Sequence, residues 1–315
     1  MATDNFSNAG PGNVVTKANA GKQFIPDLWS DEIIAEYKRS LVLGNLVTKM
    51  PMTGKKGDTM HIPKPTRGAA SIKAAAETVK IQQSGNDEVL VVVDKHYEYS
   101  RLIEDIVDVQ ALDSLRKFYT DDAGYALAKQ MDDDIHSLGK RLGDGTKEAD
   151  SYVHSASYRM TTDGTGAEPY VAGEVANVGE FSDAGLRDLI QVLDDNDVAM
   201  DGRVLVIPPS ARNTIMGIDR YQSSDFVDGR GVNTGQIGTL YGIDVYVSTN
   251  CPVIEDGVKA GLLFHKDAFV VAEQMTVRSQ TQYKQEFLAD LLTSDCLYGT
   301  QVLRPEAGVV LALPA

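Results

Sequence analysis

Between Met52 and Lys95 the chain runs for more than forty residues without an apolar pattern that closes on itself. The stretch opens Thr53-Gly54-Lys55-Lys56-Gly57-Asp58-Thr59 and alternates briefly around Met60–Ile62. It then meets Pro63 and Pro65, which bar a helix. Ala, Lys, Ser and Gln follow, a turn is expected at Ser84-Gly85-Asn86, and a strongly apolar strand returns over Val89–Val93. A two-stranded ribbon is marginal in water by itself, and a long connection of this kind inside a compact domain argues for function or disorder. The segment therefore needs a surface that it does not carry. Its charge says which kind. Lys49–Lys80 holds six Lys and one Arg against one Asp and one Glu, a local +5 in a chain of net charge −15, so the remainder stands at −20. A basic arm on such a body is suited to lie on something acidic, and another copy of the same chain is acidic.

Composition removes several alternatives. Phosphate recognition needs clustered Lys or Arg, and the net charge of −15 argues against a nucleic-acid footprint; the same balance disfavours an anionic membrane surface. Cys251 and Cys296 stand far apart and match neither a metal spacing nor a disulfide framework, which points to a reducing compartment. No apolar run approaches the length of a membrane span, and no secretory leader pattern is expected at the start. The 43% apolar content is enough for a substantial core.

Residues 1–25 are rich in Gly, Asn, Ala and Thr and read as a flexible arm that orders only against a partner. Trp29, Ile33, Tyr37 and Leu41 recur every fourth residue, one face of an amphipathic helix within residues 26–50. After the extended segment, assigned to 51–97, the pattern changes. Leu112, Leu115, Tyr119, Ala123, Leu127, Met131, Ile135 and Leu138 form a single helical stripe, which predicts a spine helix ended by Gly139, Gly143 and Gly145. A second unit spans 144–261. It holds a helix from Ser182 to Leu193, a buried strand Arg203–Ile207 stopped by Pro208-Pro209, a short helix from Ser210 to Met216, a Gly-rich loop over Asp219–Gly235 and a strand from Ile243. Strands are then expected at Leu262–His265, Ala268–Ala272, Tyr298–Leu303 and Val309–Leu313, and these are grouped with residues 98–143. The fold class is α+β.

A search for chemistry returns little. No nucleophile elbow, Walker loop or zincin pair is present. His61, His96, His136, His154 and His265 are scattered and read as surface or hydrogen-bonded residues. Gly229–Gly235 has a dinucleotide-like glycine pattern one residue too long and followed by a strand, so no helix N-terminus would hold a pyrophosphate. Asp194-Asp195-Asn196-Asp197 with Asp201-Gly202 hints at calcium, but Val198 and Leu205 fall where oxygen ligands belong. Asp132-Asp133-Asp134 point in different directions on a helix and read as a solvated face or a landing strip for a basic partner. Glu104–Asp134 carries nine acidic and three basic residues, a local −6. Lys55, Lys56, Lys64, Arg67, Lys73 and Lys80 of one copy are therefore expected to face Glu104, Asp105, Asp132, Asp133 and Asp134 of the next, which would fix register more than affinity. No catalytic, cofactor-binding or metal-binding residue and no cofactor are expected.

The order of these elements resembles the major capsid protein of tailed double-stranded DNA phages, with the Hong Kong 97-like (HK97-like) capsid fold. The resemblance covers residues 25–315 and rests on an ordered set of stretches. Lys56–Pro63 is similar to that family's approach to its extended loop, and Tyr99–Asp105 to the run from loop to spine helix. Arg203–Pro209 and Thr234–Ser248 are similar to the axial domain, and Leu263–Ala268 with Tyr298-Gly299 to the peripheral domain. The resemblance implies an N-arm, an extended loop lying across the adjacent subunit, a spine helix, a peripheral domain and an axial domain at the capsomer centre. It implies self-assembly into hexamers and pentamers of an icosahedral head around double-stranded DNA. A portal, a separate scaffolding protein and a cement or decoration protein are the implied partners, with no membrane. The chain would reside in the virion capsid, and in the host cytoplasm during assembly. Some relatives cross-link a loop Lys to a peripheral Asn. No Asn follows Asn250, so a non-covalent shell is expected. An encapsulin-type nanocompartment shares this fold and would be distinguished by cargo-enzyme genes nearby. A soluble metal- or nucleotide-dependent enzyme would instead be a compact monomer or dimer that binds a ligand.

Overall fold

The computed structural model describes residues 42–52, 57–65, 68–73, 75, 78–79, 81, 86–104, 114–143, 151–218 and 238–315. The N-arm, the helix expected around Trp29, the Gly-rich loop over Asp219–Gly235, and Lys55, Lys56, Arg67, Lys80 and Asp105 lie outside the described residues.

In chain order the regular elements are β1 (Thr48–Pro51), β2 (Thr59–Pro65), β3 (Asn86–Val92), β4 (Lys95–Glu104), α1 (Ser114–Ser137), β5 (Ser157–Met160) and β6 (Ala167–Pro169). Then come α2 (Asp183–Asp195), β7 (Arg203–Ile207), α3 (Pro209–Met216), β8 (Thr239–Leu240), β9 (Ile243–Val247) and β10 (Val253–Glu255). The chain closes with β11 (Val258–His265), β12 (Phe269–Lys284), β13 (Ala289–Val302) and β14 (Gly308–Pro314). An eight-stranded mixed sheet has the order β6-β5-β14-β11-β7-β9-β8, with β10 pairing on β11. A four-stranded sheet has the order β1-β12-β13-β4, and β2 and β3 form a separate hairpin.

Local chemistry explains the first sheet. All five residues of β7 are buried, so the strand is a continuous apolar run rather than an alternating one, as sheets covered on both faces require. Pro208-Pro209 stops it, and Pro209 then opens α3, where a missing N–H does no harm. The Ser182 side chain accepts a hydrogen bond from the Gly185 backbone N–H and caps α2, which buries Leu186, Leu189 and Leu193. These leucines join Leu205, Phe264, Val309 and Leu311 in the main core.

The spine helix α1 packs on the four-stranded sheet. Ala123, Leu127 and Ile135 of its stripe are buried, and Leu138 continues the stripe in the short helical turn Leu138–Arg141. Gly143, at φ +84°, turns the chain away in a left-handed conformation that favours glycine.

One expected boundary is corrected by strand pairing. Residues 262–315 do not stay together with the spine helix. Strands β11 and β14 are hydrogen-bonded into the eight-stranded sheet, β14 lying between β11 and the parallel strand β5. Only β12 and β13 belong with β4 and the spine. The reason is burial: β14 reads Gly-Val-Val-Leu-Ala-Leu-Pro and is buried from Gly308 through Leu313, which only a central position provides.

Candidate functional site

The extended segment folds as a hairpin, with β2 and β3 antiparallel from Thr59 opposite Val92 to Pro65 opposite Asn86. Its root is tied to the chain's own second sheet. The Met52 N–H donates to the Glu273 carbonyl (2.8 Å) and the Gln274 amide to the Gly57 carbonyl (2.9 Å), while the Val93 N–H donates to the Asp58 carbonyl (2.7 Å) and closes the hairpin on itself. Met52, Val91 and Val93 are buried with Val270 and Ala272. The root thus borrows a core within the same chain, a correction to the expectation that this segment rests wholly on a neighbour. Gly299 is required at the crossing. A Cβ there would run into the Val92 carbonyl, closer than side chains ever approach backbone.

Beyond the root the burial ends. Ile72 is 95% exposed, Val79 73% and Ile81 93%. Lys73 is exposed, and Lys64 makes only a loose pair with Glu306 (3.8 Å) in which both side chains are about half exposed, an arrangement worth little.

The three consecutive aspartates of the spine have three separate roles. Asp132 is 1% exposed. Its Oδ1 accepts from the backbone N–H of Val42 (3.2 Å) and Leu43 (2.8 Å), and its Oδ2 from the Asn250 side-chain amide (3.0 Å). Asp133 lies at the surface in an i,i+4 pair with Lys129 (3.2 Å). Asp134 accepts from Lys95 Nζ (3.0 Å) and from the Tyr298 hydroxyl (2.9 Å). Burial first, and then the Asp134 charge, push the Tyr298 phenol far up, so it stays a donor.

Two members of the expected acidic landing strip are therefore corrected. Asp132 cannot meet a neighbour's lysine because it is buried and its oxygens are occupied. Asp134 is taken up by the Lys95 and Tyr298 of its own chain. Glu104 is exposed at the end of β4, opposite Ala289. Among the described residues, no ion pair joins Lys64 or Lys73 to Glu104 or Asp133.

Several polar groups sit otherwise than the sequence suggests, and His136, expected at the surface or hydrogen-bonded, is corrected to a buried ring. His136 stands one turn beyond Asp132, its Nε2 3.7 Å from Asp132 Oδ2. Neither ring nitrogen has a hydrogen-bond partner. Burial lowers its pKa to about 4, while Asp132 and Asp133 pull weakly the other way, so the ring is neutral. The signal was available: Asp132 and His136 each follow a stripe residue, Met131 and Ile135, at i,i+4 spacing. On β13, Asp295 accepts two hydrogen bonds from Arg278 (2.7 and 2.9 Å) and lies 3.1 Å from His96. The Arg278 hydrogen bonds hold its carboxyl at a pKa of about 2. Asp194, one of the calcium candidates, instead binds the buried Arg203 guanidinium at 2.6 Å. Among the described residues no group of three metal-ligating side chains comes together, and no helix is long and apolar enough to cross a membrane.

The second sheet also protrudes. Strands β12 and β13 pair out to Lys284 opposite Ala289, and β1 covers only Val270–Glu273 of β12. At the far end Val277 is 48% exposed, Tyr283 46%, Phe287 61% and Leu288 64%. Exposed apolar side chains gathered at protruding hairpins mark a contact surface. What the geometry offers is thus adhesive edges and an unfinished loop.

Comparison with known proteins agrees with that reading. A family model described as phage capsid protein matches residues 32–313. A search of curated proteins found no match. Among solved structures, one from Mycobacterium phage Che8 superposes with a TM-score of 0.71 at 24% identity, over 92% of this chain and 98% of that chain. The capsid structure of cyanophage P-SCSP1u gives 0.73 at 16% identity, over 96% and 95% of the two chains. A structure from Gordonia phage Cozz gives 0.67 at 16% identity and covers both chains completely. A mixed fold with an extended hairpin, a spine helix and two sheets, matched along nearly its whole length, places the chain in the phage capsid protein family, with the HK97-like fold of tailed-phage major capsid proteins.

Proposed function

We propose that this chain is the repeating subunit of an icosahedral phage head, assembling into hexamers and pentamers that enclose double-stranded DNA. The observation that carries the proposal is the extended hairpin. Its root is fixed firmly within the subunit, yet Ile72, Val79 and Ile81 beyond it stand in solvent. Such a segment is complete only against a neighbour. The basic residues Lys55, Lys56, Lys64, Arg67, Lys73 and Lys80 guide it onto a partner surface that includes Glu104, Asp105 and Asp133. Net charge of −15 keeps the inner wall from gripping phosphate. The shell is non-covalent, since no Asn follows Asn250. A portal and a separate scaffolding protein complete the assembly, and a decoration protein binds the finished surface. The axial domain surrounds the capsomer centre, and the spine and β12–β13 form the peripheral domain.

Electron microscopy of purified particles tests this directly. Closed, faceted shells carrying this chain as the dominant band on a denaturing gel, without ladders above the monomer, are expected. A monodisperse monomer or dimer in the presence of phage assembly partners would contradict the proposal.

A further inference from the structure

We propose that the turn closing the β12–β13 hairpin is a contact point between like parts, where Phe287 and Leu288 of one copy pack against the same residues of a second copy. The inference rests on the shell reading and deepens it by naming what this hairpin meets. The turn spans residues 285–288, and across it the Phe287 N–H donates to the Lys284 carbonyl (3.1 Å). Its last residue, Leu288, has φ +46°. Hairpin loops favour Gly or Asn at such a position, because a Cβ makes the left-handed region costly. Leu is neither, and its side chain stands in solvent beside an equally exposed Phe287. The next residue, Ala289, is fully buried, so the exposure belongs to the turn itself.

Backbone strain and exposed apolar surface thus coincide at one turn. Neither serves the isolated subunit: a Gly would relieve the first, and polar residues the second. Strain held at such a place, together with apolar side chains in solvent, points to a contact made with another molecule.

The charges within the turn indicate which molecule. Lys284 and Glu286 flank Gln285, and among the described residues neither makes an ion pair inside the subunit. One cation and one anion beside two apolar side chains form a patch that is complementary to itself. When two copies meet turn to turn about a symmetry axis, Lys284 of each faces Glu286 of the other. A partner surface of one sign would match only one of the two. Closed symmetric assemblies bring equivalent points together at their axes, which is the arrangement this patch requires. The contact is too small to hold two subunits by itself and acts alongside larger interfaces.

Disulfide trapping in Phe287→Cys particles tests the contact. The native Cys251 and Cys296 are both buried, so a new thiol at position 287 reports alone. Under mild oxidation the chain should run as a dimer on a non-reducing gel, with mass spectrometry joining position 287 to position 287. Closed particles whose chains stay monomeric under oxidation overturn the inference while leaving the shell reading intact. Failure of the unaltered chain to form closed particles overturns the shell reading, and this inference with it. A charge exchange supplies an independent readout. Lys284→Glu alone and Glu286→Lys alone should each raise the concentration needed for half-assembly about fivefold, the upper end of what an exposed pair contributes. The double variant should restore it, because the exchanged charges still face one another. If the turn meets a different surface of a second copy, or another protein, the double variant stays as impaired as the single ones, and the inference fails. Leu288→Asn separates assembly from folding. The subunit's unfolding midpoint should stay level or rise, since Asn tolerates the left-handed conformation, while the half-assembly concentration rises about tenfold for the apolar surface lost. Unchanged assembly contradicts the contact.

Discussion

The eight-stranded sheet and the two hairpins each contain apolar strand residues, and these end in different states. In β7, Val204, Leu205, Val206 and Ile207 are all buried. In β3 a run of the same kind, Val89-Leu90-Val91-Val92, buries Val91 completely but leaves Val92 45% exposed. Strand β12 shows the contrast within one element: Phe269–Ala272 are fully buried, whereas Val277 and Tyr283 are about half exposed. Hydrophobicity alone does not separate these places. What separates them is whether the chain itself provides the opposing face. The sheet finds its cover in α2, α3 and its own neighbouring strands, so it holds the subunit together. The hairpins leave apolar surface in solvent, which the proposed assembly would cover.

The sharpest way to break that division is to truncate one side chain in each region. Phe264→Ala empties a position that is 0% exposed in the main core, and should lower subunit stability by about 3–5 kcal/mol in denaturant unfolding. Replacing Ile72 and Ile81 with Ser should change that stability by no more than about 0.5 kcal/mol, yet abolish or strongly delay assembly followed by light scattering. If the loop substitutions destabilise the subunit as much as the core one, the contrast is wrong.

Next in size is the pair of adjacent aspartates. Asp132→Ala removes the acceptor of two backbone N–H groups and of an Asn250 amide hydrogen bond, a loss of about 3 kcal/mol. Asp133→Ala, at the surface, should alter unfolding by about 0.5 kcal/mol or less. Equal effects would mean that the buried knot does not exist.

A smaller effect is expected from pH. The His136 pKa in the folded subunit is depressed to about 4, below the ordinary value of about 6.5 in the unfolded chain. The unfolded state therefore binds the extra proton first. Stability from keeping this ring neutral is fully present above about pH 6.5 and is lost progressively as pH falls toward about 4. Denaturant unfolding across that window should show the slope in the native chain and a flatter profile in His136→Gln. The smallest effect is electrostatic. Lys64→Glu with Lys73→Glu should slow assembly a few-fold, roughly what one or two screened surface pairs contribute, and added salt should mimic it. Assembly indifferent to both would remove the charge argument.

Much of the interior was legible in the sequence. The strand Arg203–Ile207 announces itself as an unbroken apolar run between Gly202 and Pro208, and α2 begins at a Ser that caps it. Both signals are local, and local signals survive folding. The outer half of β12 was not legible. From Thr276 to Lys284 the residues have no buried side to alternate against, and pairing with β13 alone keeps them extended. The place of β14 was missed because it follows β13 in sequence but returns to the other sheet, a choice made by long-range burial. Asp132 was read with its neighbours as solvated, since composition records charge and not the direction in which a helical residue points. The exposure of the loop's outer part was legible, but the core at its root was not, because Val270 and Ala272 that complete it lie about two hundred residues away.

The central claim is that the extended hairpin is finished only by a neighbouring copy. Amide hydrogen exchange compared between isolated subunits and closed particles tests it most directly. Peptides spanning Ile72, Lys73, Val79 and Ile81 should exchange rapidly in the subunit and become strongly protected in the particle, while β7, β11 and β14 are slow in both. Equal exchange at the loop before and after assembly would contradict the account.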